Sequence, residues 1–294
     1  MEENNCFTLI NPQTGNLAFK LQFFENENPF DTIHRLNHYA VIWIKEGAGN
    51  VHADFSDYTI NANSLYSFSL YQPFQFKAEK HLSGIALYFH PDFFCIHKHH
   101  KEVACNGVLF NNIYNSPSIK IDSKTEINFN MLIEQLKLEM QNPALAQYEL
   151  LVSYLKIVLI TASRLKTEQQ EAKNVETNKH DEPFILQNLK NFIETHYKTK
   201  HTASDYANML AITPKALTKL TKSHFNKTLT ELIAERIVIE AKRELYLTNK
   251  TVKEIAFELG YNDEYYFSRF FKKHVDLSPQ LFRERIDFDS ATFS

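Results

Sequence analysis

The chain has 294 residues, a length that suits about two domains of roughly 100–200 residues each. Hydrophobic residues make up 44% and charged residues 23%, with a formal net charge of −3, a globular balance that excludes a wholly disordered or collagen-like chain. With 6 glycines there is little material for a Gly-rich phosphate cradle, and neither a G-x-G-x-x-G nor a G-x-x-x-x-G-K motif occurs.

The start, Met1-Glu2-Glu3-Asn4-Asn5, lacks the basic and apolar regions of a secretory signal. The longest apolar run, Leu150 to Leu165, is interrupted by Ser153, Lys156, Thr161 and Arg164, too polar to cross a bilayer. Three dispersed cysteines, Cys6, Cys95 and Cys105, form no disulfide framework and fit a reducing compartment. These features predict a soluble, cytoplasmic chain with no membrane partner. Charge divides unevenly: residues 1–182 carry 15 basic against 21 acidic side chains, and residues 183–294 carry 17 against 14. The C-terminal part is therefore the candidate for an anionic partner.

Residues 1–125 read as short strands and turns. His38 to Ile44 is β-branched and aromatic and ends at the turn Gly47-Ala48-Gly49-Asn50. Val51 to Ile60 alternates loosely, and Leu65–Leu70, Phe74–Ala78 and Ile85–Phe89 follow between turn residues. Short strands at this spacing predict a β-sandwich or barrel. The aromatics Tyr66, Phe68, Tyr71, Phe74, Phe76, Tyr88 and Phe89 are either its core or the lining of an apolar pocket.

Histidines and cysteines then crowd together: His90, Cys95, His97, His99, His100, Glu102 and Cys105. Such ligand density would suit a transition metal or a redox switch, but the reading preferred is a solvated His-rich segment beside the barrel. Its spacing matches no closed zinc site, so neither metal nor cofactor is assigned. A metal-dependent cupin enzyme would need a His-x-His pair, and His34, His38, His52, His81 and His90 contain none, which argues against an enzyme.

Residues 126–166 predict a helical hairpin broken at Pro143, with apolar positions Ile127, Met131, Leu132 and Leu136, then Leu151, Leu155, Val158 and Leu159. It packs on the barrel, dimerises, or does both. Residues 167–182 are charged and polar, the composition of a linker. Residues 183–294 form the last predicted domain.

That last domain repeats itself with a period near 50 residues. Thr202-Ala-Ser-Asp-Tyr-Ala207 aligns with Thr251-Val-Lys-Glu-Ile-Ala256, Leu217-Thr218-Lys219 with Phe267-Ser268-Arg269, and His224 to Thr228 with His274 to Ser278. Each copy predicts a helix-turn-helix unit, at about residues 202–224 and 251–274. Ala256 is small where helices cross, Gly260 ends a helix cheaply, and Asn262 and Asp263 can cap the next. Thr213-Pro214 is a strong helix start. In the second helices, Ala216, Leu217 and Leu220, and Tyr266, Phe267, Phe270 and Phe271, are assigned inward. Leu229 to Leu247 predicts a long connecting helix.

Outward residues of a helix that enters a major groove read base edges or meet phosphates. By type, Thr218, Lys219, Ser268 and Arg269 suit base edges, while Lys222, Lys272 and Lys273 suit phosphates.

The motifs Glu254-Ile255-Ala256, Leu259-Gly260-Tyr261, Asp263, Tyr266-Phe267-Ser268-Arg269, Phe271-Lys272-Lys273, Ser278-Pro279 and Phe282-Arg283 closely resemble the DNA-binding domain of AraC/XylS-family transcription regulators. Leu217-Thr218-Lys219, Arg236 and Ala241-Lys242-Arg243-Glu244-Leu245 extend the resemblance over about Thr202 to Arg285. It implies two helix-turn-helix units reading successive major-groove segments of double-stranded DNA. Carried over by position, Lys215, Thr218 and Lys219 face bases from the first unit, and Glu264, Tyr265 and Arg269 from the second. Glu264 would either repel a phosphate or accept from a cytosine amino group. Asn226 and Asp276 stand where the family usually has glycine, and both tolerate a left-handed backbone.

The resemblance further implies an N-terminal cupin-like barrel that binds a small-molecule effector, a homodimer made by the hairpin, and contact with RNA polymerase. The expected fold is therefore α+β: a cupin-like β-barrel with a helical hairpin, then an all-α domain with two helix-turn-helix units. The expected function is an effector-responsive, dimeric transcription regulator. The rival is a small-molecule or metal-binding cupin sensor whose helical domain serves protein interaction.

Overall fold

The structure is a computed structural model and describes residues 5–12, 15–79, 81–99, 103, 107–176 and 184–287. The described residues form two compact units. One holds those up to Asn112 and those from Ser116 to Gln170; the second holds Ile113–Asn115 and Glu171–Asp287.

The first unit is built on nine strands: β1 Cys6–Ile10, β2 Leu17–Glu27, β3 Tyr39–Glu46, β4 Gly49–Ala53, β5 Ser56–Ile60, β6 Ser64–Phe68, β7 Phe74–Ala78, β8 Leu82–Phe89 and β9 Ser118–Lys120. They pair into a six-stranded sheet, β1-β2-β8-β3-β6-β9, and a three-stranded sheet, β5-β4-β7, with every pairing antiparallel. The predicted barrel is thus two open sheets rather than a closed cylinder. A chain of short strands makes either, and closure depends on edge pairings that strand patterning does not encode.

Strand β3 lies inside the larger sheet between β8 and β6 and is buried on both faces, hence its unbroken apolar run. Ala40, Ile42 and Ile44 join Tyr66, Phe68, Phe74, Phe76 and Tyr88 in one core cluster. Phe68 stacks on Phe74 at 4.0 Å, and Tyr66 meets Phe76 edge-on at 5.3 Å. Phe89 stacks on Tyr39 at 5.1 Å, and Tyr71 is buried. These aromatics are buried and pack against one another.

The opposite face of β3 carries Val41 and Trp43. Trp43 meets Phe129 of α1 (Ser123–Gln141) edge-on at 5.9 Å, and both strand residues line a small apolar cavity with Ile133 of α1 and Val158 of α2 (Gln147–Glu176). Asp122 caps α1 by accepting from Thr125 N at 2.7 Å, and Asn63 ties its first turn down by donating to Glu126 at 2.8 Å. Pro143 falls between the two helices, as the sequence predicts. Helix α2 runs on to Glu176, so the first part of the stretch read as linker is helical.

Lys166 on α2 is 3% exposed, and its Nζ has no hydrogen-bond partner among the described residues. Burial pulls its pKa down to about 8. Among the described residues, no helix is long and apolar enough to cross a membrane.

The second unit contains α3 Phe184–His196, α4 Ala203–Met209, α5 Pro214–Phe225, α6 Leu229–Leu247, α7 Val252–Glu258, α8 Glu264–Val275 and α9 Pro279–Asp287. Helix α6 separates two short-helix/long-helix pairs, α4–α5 and α7–α8, and buries Leu232, Ile233, Ile237, Ala241 and Leu245.

Candidate nucleic-acid interface

Local chemistry sets every helix start in the C-terminal pairs. Thr202, Thr228 and Thr251 each accept from the backbone N–H three residues on, while Asp205, Glu231 and Glu254 reach back to the cap N–H. Thr213 caps α5 by accepting from Ala216 N at 3.1 Å, with Pro214 in the first helical position. Asp263 caps α8 by accepting from Tyr265 N and Tyr266 N at 2.6 and 3.2 Å.

Both long helices stop the same way. Asn226 after α5 and Asp276 after α8 are left-handed, with φ of 56° and 68°. The residues standing in for glycine thus take the conformation glycine would take. The turns inside the pairs differ. Ala211 accepts φ of 55° in the first. Gly260 in the second has φ of 84°, and a Cβ there would lie 1.8 Å from the Lys198 carbonyl oxygen. The second turn therefore presses directly on the backbone that follows α3.

The buried seams of the two long helices repeat at matching positions. In α5 the buried residues are Leu217, Thr221 and Phe225; in α8 they are Phe267, Phe271 and Val275. Each set is spaced i, i+4, i+8, and each pair of counterparts lies 50 residues apart. Aromatic rings gather around the second seam: Tyr261 lies 5.3 Å from Phe267 and 5.4 Å from Phe270, and Phe271 meets Phe282 at 5.5 Å. Arg283 clamps the end of α6, donating to the carbonyls of Leu245, Thr248 and Lys250 at 3.2, 3.3 and 2.6 Å.

The opposite faces carry cations. Lys215, Lys219, Arg269, Lys272 and Lys273 are exposed and make no ion pair among the described residues. Lys222 is also exposed, with Glu231 at 4.0 Å. Helix α6 is the contrast. Arg236 pairs with Glu194 and Glu240 at 2.8 and 3.1 Å, and Arg243 with Glu240 and Glu244 at 2.7 and 2.6 Å. Lys250, just beyond it, pairs with Glu244 and Glu258 at 2.9 and 2.7 Å, and these acids raise its pKa. Arg236 and Arg243 of α6 are neutralised in place, whereas Lys215, Lys219, Arg269, Lys272 and Lys273 face outward without an ion pair among the described residues. A polyanion meets that surface at little desolvation cost.

Residues 206–285, which span both pairs and the helix between them, match the family model of a helix-turn-helix domain. The C-terminal domain belongs to the AraC/XylS family. The chain is 32% identical over 138 residues to the HTH-type transcriptional activator Btr of Bacillus subtilis, covering 47% of this chain and 26% of Btr. It is 30% identical over 95 residues to the raffinose operon regulatory protein RafR of Pediococcus pentosaceus, covering 32% of this chain and 34% of RafR. It is 28% identical over 102 residues to the regulatory protein SoxS of Salmonella typhimurium, covering 35% of this chain and 95% of SoxS. The chain thus spans about a quarter to a third of the first two relatives' length.

On this AraC/XylS-type domain, Lys215, Thr218, Lys219 and Lys222 lie together on the exposed side of α5. Thr218 turns its hydroxyl back to donate to the Pro214 carbonyl at 2.9 Å. On α8, Tyr265 is 77% exposed, Arg269, Lys272 and Lys273 are exposed, and Glu264 and Ser268 are half-buried. Glu264 opens α8, where the helix dipole favours an acid.

Two inward assignments are corrected. Tyr266 is 59% exposed, and its repeat counterpart Ala216 is exposed as well. A seam at i, i+4, i+8 is narrow, and a residue one position before it is turned about 100° away. Tyr266 therefore joins the outward face, one turn before Arg269. That signal was present in the repeat, which sets Tyr266 opposite an alanine rather than a large hydrophobe.

Lys227 is buried, 2.8 Å from Glu235. In the first unit, His90 lies 5.4 Å from His38 and 3.3 Å from Asp92, and Cys95 is a buried free thiol. Burial holds His38 at a pKa of about 4. No group of three or more His, Cys, Asp or Glu among the described residues could hold a metal; His100, Glu102 and Cys105 lie outside them.

Proposed function

We propose that the chain is a sequence-specific DNA-binding transcription regulator. Helices α5 and α8 are the recognition helices of two helix-turn-helix units and enter successive major-groove segments on one face of the duplex. Lys215, Thr218 and Lys219, and Tyr265, Tyr266, Ser268 and Arg269, approach base edges, with Glu264 at the groove's edge. Lys222, Lys272 and Lys273 neutralise phosphates. One observation carries this reading. Two helices related by an internal repeat place exposed cations at matching positions, Lys219 with Arg269 and Lys222 with Lys272, while Arg236 and Arg243 on the helix between them are paired with acids.

The chain works as a homodimer through its helical hairpin. Ile127, Met131 and Leu138 on α1 and Leu150 and Ile157 on α2 are exposed, an apolar surface of the kind that associates. The first unit is the sensor of a small-molecule effector. An effector acts by binding one arrangement of the regulator more tightly than another.

The test is selection of duplexes from genomic DNA by the full-length chain at about 150 mM salt, where non-specific binding is suppressed. Enrichment of one motif with two contacted tracts about 10 bp apart is the expected result. Retention of all sequences alike would overturn sequence-specific reading.

A further inference from the structure

Three residues far from the C-terminal region in sequence fold as part of it. Ile113–Asn115 belong to the second unit, although β9 and α1 of the first unit follow them directly along the chain. Ile113 is 4% exposed. We propose that this segment is a strap that positions the first recognition helix, with Tyr114 as its positioning residue. The inference rests on the reading of α5 as a DNA-reading helix and extends it.

Three kinds of contact hold the strap. The Tyr114 hydroxyl donates to Glu194 Oε1 on α3 at 2.9 Å. Its ring lies 5.7 Å from Phe225, the last residue of α5, and Lys190 Nζ sits over both rings at 5.6 and 5.7 Å. The Ile113 carbonyl accepts from Lys227 Nζ at 3.3 Å, just beyond the end of α5. None of these anchors stands alone. Glu194 Oε2 accepts from Arg236 on α6 at 2.8 Å, and the Arg236 guanidinium lies 4.2 Å from the Tyr197 ring centre. Lys227 pairs with Glu235 of α6 at 2.8 Å, with both side chains nearly fully buried. Burial keeps the Tyr114 phenol protonated, so it remains a donor to the carboxylate.

The strap therefore ties the C-terminal end of α5 to α3 and α6. The second recognition helix is seated differently. Val275, the counterpart of Phe225, is 0% exposed, and Phe267 and Phe271 lie in the aromatic cluster made by α8, α9 and Tyr261. Lys215, Thr218, Lys219 and Lys222 all project from a helix whose far end the strap braces. A rocking of α5 moves all four relative to the groove. Recognition tolerates little such misplacement, because bidentate base contacts are directional.

The test uses the full chain and a duplex recovered by the wild-type chain from a random-sequence library. Hydroxyl-radical footprints resolve the tract read by each helix. Tyr114→Ala is expected to lose protection of the α5 tract, keep that of the α8 tract, and bind about tenfold more weakly. Tyr114→Phe keeps the ring and loses only the hydroxyl, so it falls between, at about threefold. Equal weakening of both tracts, or no change in either, overturns the strap. If Tyr114→Ala does not fold, Tyr114→Phe and Glu194→Gln carry the same tract-by-tract test. Lys219→Ala separates the two readings. If it leaves the α5 tract protected, α5 does not read that tract, and both readings fail. If it clears the tract while the Tyr114 variants do not, only the strap fails.

Discussion

The two helix pairs of the C-terminal domain share a 50-residue repeat, similar caps and matching outward cations, yet they are seated by different chemistry. The second is a hydrocarbon structure: Phe267, Phe271 and Val275 pack with Tyr261 and Phe282, and Gly260 lets its turn touch the Lys198 carbonyl. The first has a smaller seam, Leu217, Thr221 and Phe225, and finishes it with polar devices. Thr221 donates its hydroxyl to the Thr218 carbonyl at 3.2 Å, Lys227 and Glu235 form a buried pair, and Tyr114 covers the end. The repeat thus keeps similar outward faces while the packing beneath them diverges.

That contrast can be broken at its strongest point first. Phe271→Ala removes a fully buried ring and should cost about 3–5 kcal/mol, whereas Thr221→Ala at the matching position should cost about 1 kcal/mol; urea denaturation of both variants measures the difference. Equal losses would mean that the two seams carry the same load.

The turns give the next test. Gly260→Ala places a methyl against the Lys198 carbonyl on a left-handed backbone and should cost about 3 kcal/mol. Ala211→Gly, where the first pair already tolerates φ of 55°, should change stability by less than about 1 kcal/mol. Thermal melts of the two variants would show whether only the second turn depends on close approach.

On DNA the pairs should respond alike. Lys219→Ala and Arg269→Ala are each predicted to cost about 1–3 kcal/mol on a selected duplex and to relax base preference in their own tract. Lys272→Ala should weaken all sequences about equally and lower the salt slope by about 1. Titrations on selected and scrambled duplexes at several salt concentrations read both effects. An Arg269→Ala variant equally impaired on both duplexes would remove that residue from base reading.

Lys166 supplies a change that neither pair should register. Its native pKa of about 8 lies below the 10.5 of a solvated lysine. Between these values the unfolded chain holds a proton that the native chain does not, so the Lys166 contribution to stability rises with pH. Lys166→Met should therefore stabilise the fold by about 1–3 kcal/mol near pH 7, and the gain should shrink as pH climbs from 8 toward 10.5. Denaturation midpoints of the two proteins across that range give the comparison. A gain that grows with pH would show Lys166 to be charged in the native state. DNA affinity at pH 7 should be unchanged.

Much of the interface was legible because its signals are local. A threonine followed by proline and an aspartate before an aromatic run both act within one turn of the chain, and each caps where the sequence places it. The apolar spacing and the repeat located α5 and α8 and most of their outward residues. Tyr266 and Ala216 were misassigned because a helical wheel gives a residue's direction but not the width of the surface it meets.

Sequence by itself determined the helix-turn-helix pairs and the helix between them, the caps at Thr213 and Asp263, the left-handed stops at Asn226 and Asp276, and the strands between His38 and Phe89. These depend on backbone propensity and on hydrogen bonds between residues a few positions apart. Only the tertiary structure decided that the strands form two open sheets, that Lys166 and Lys227 are buried, and that Tyr114 folds with helices starting some 70 residues further on. Such contacts join residues distant in the chain, and their stability comes from desolvation and packing that exist only after the elements have met.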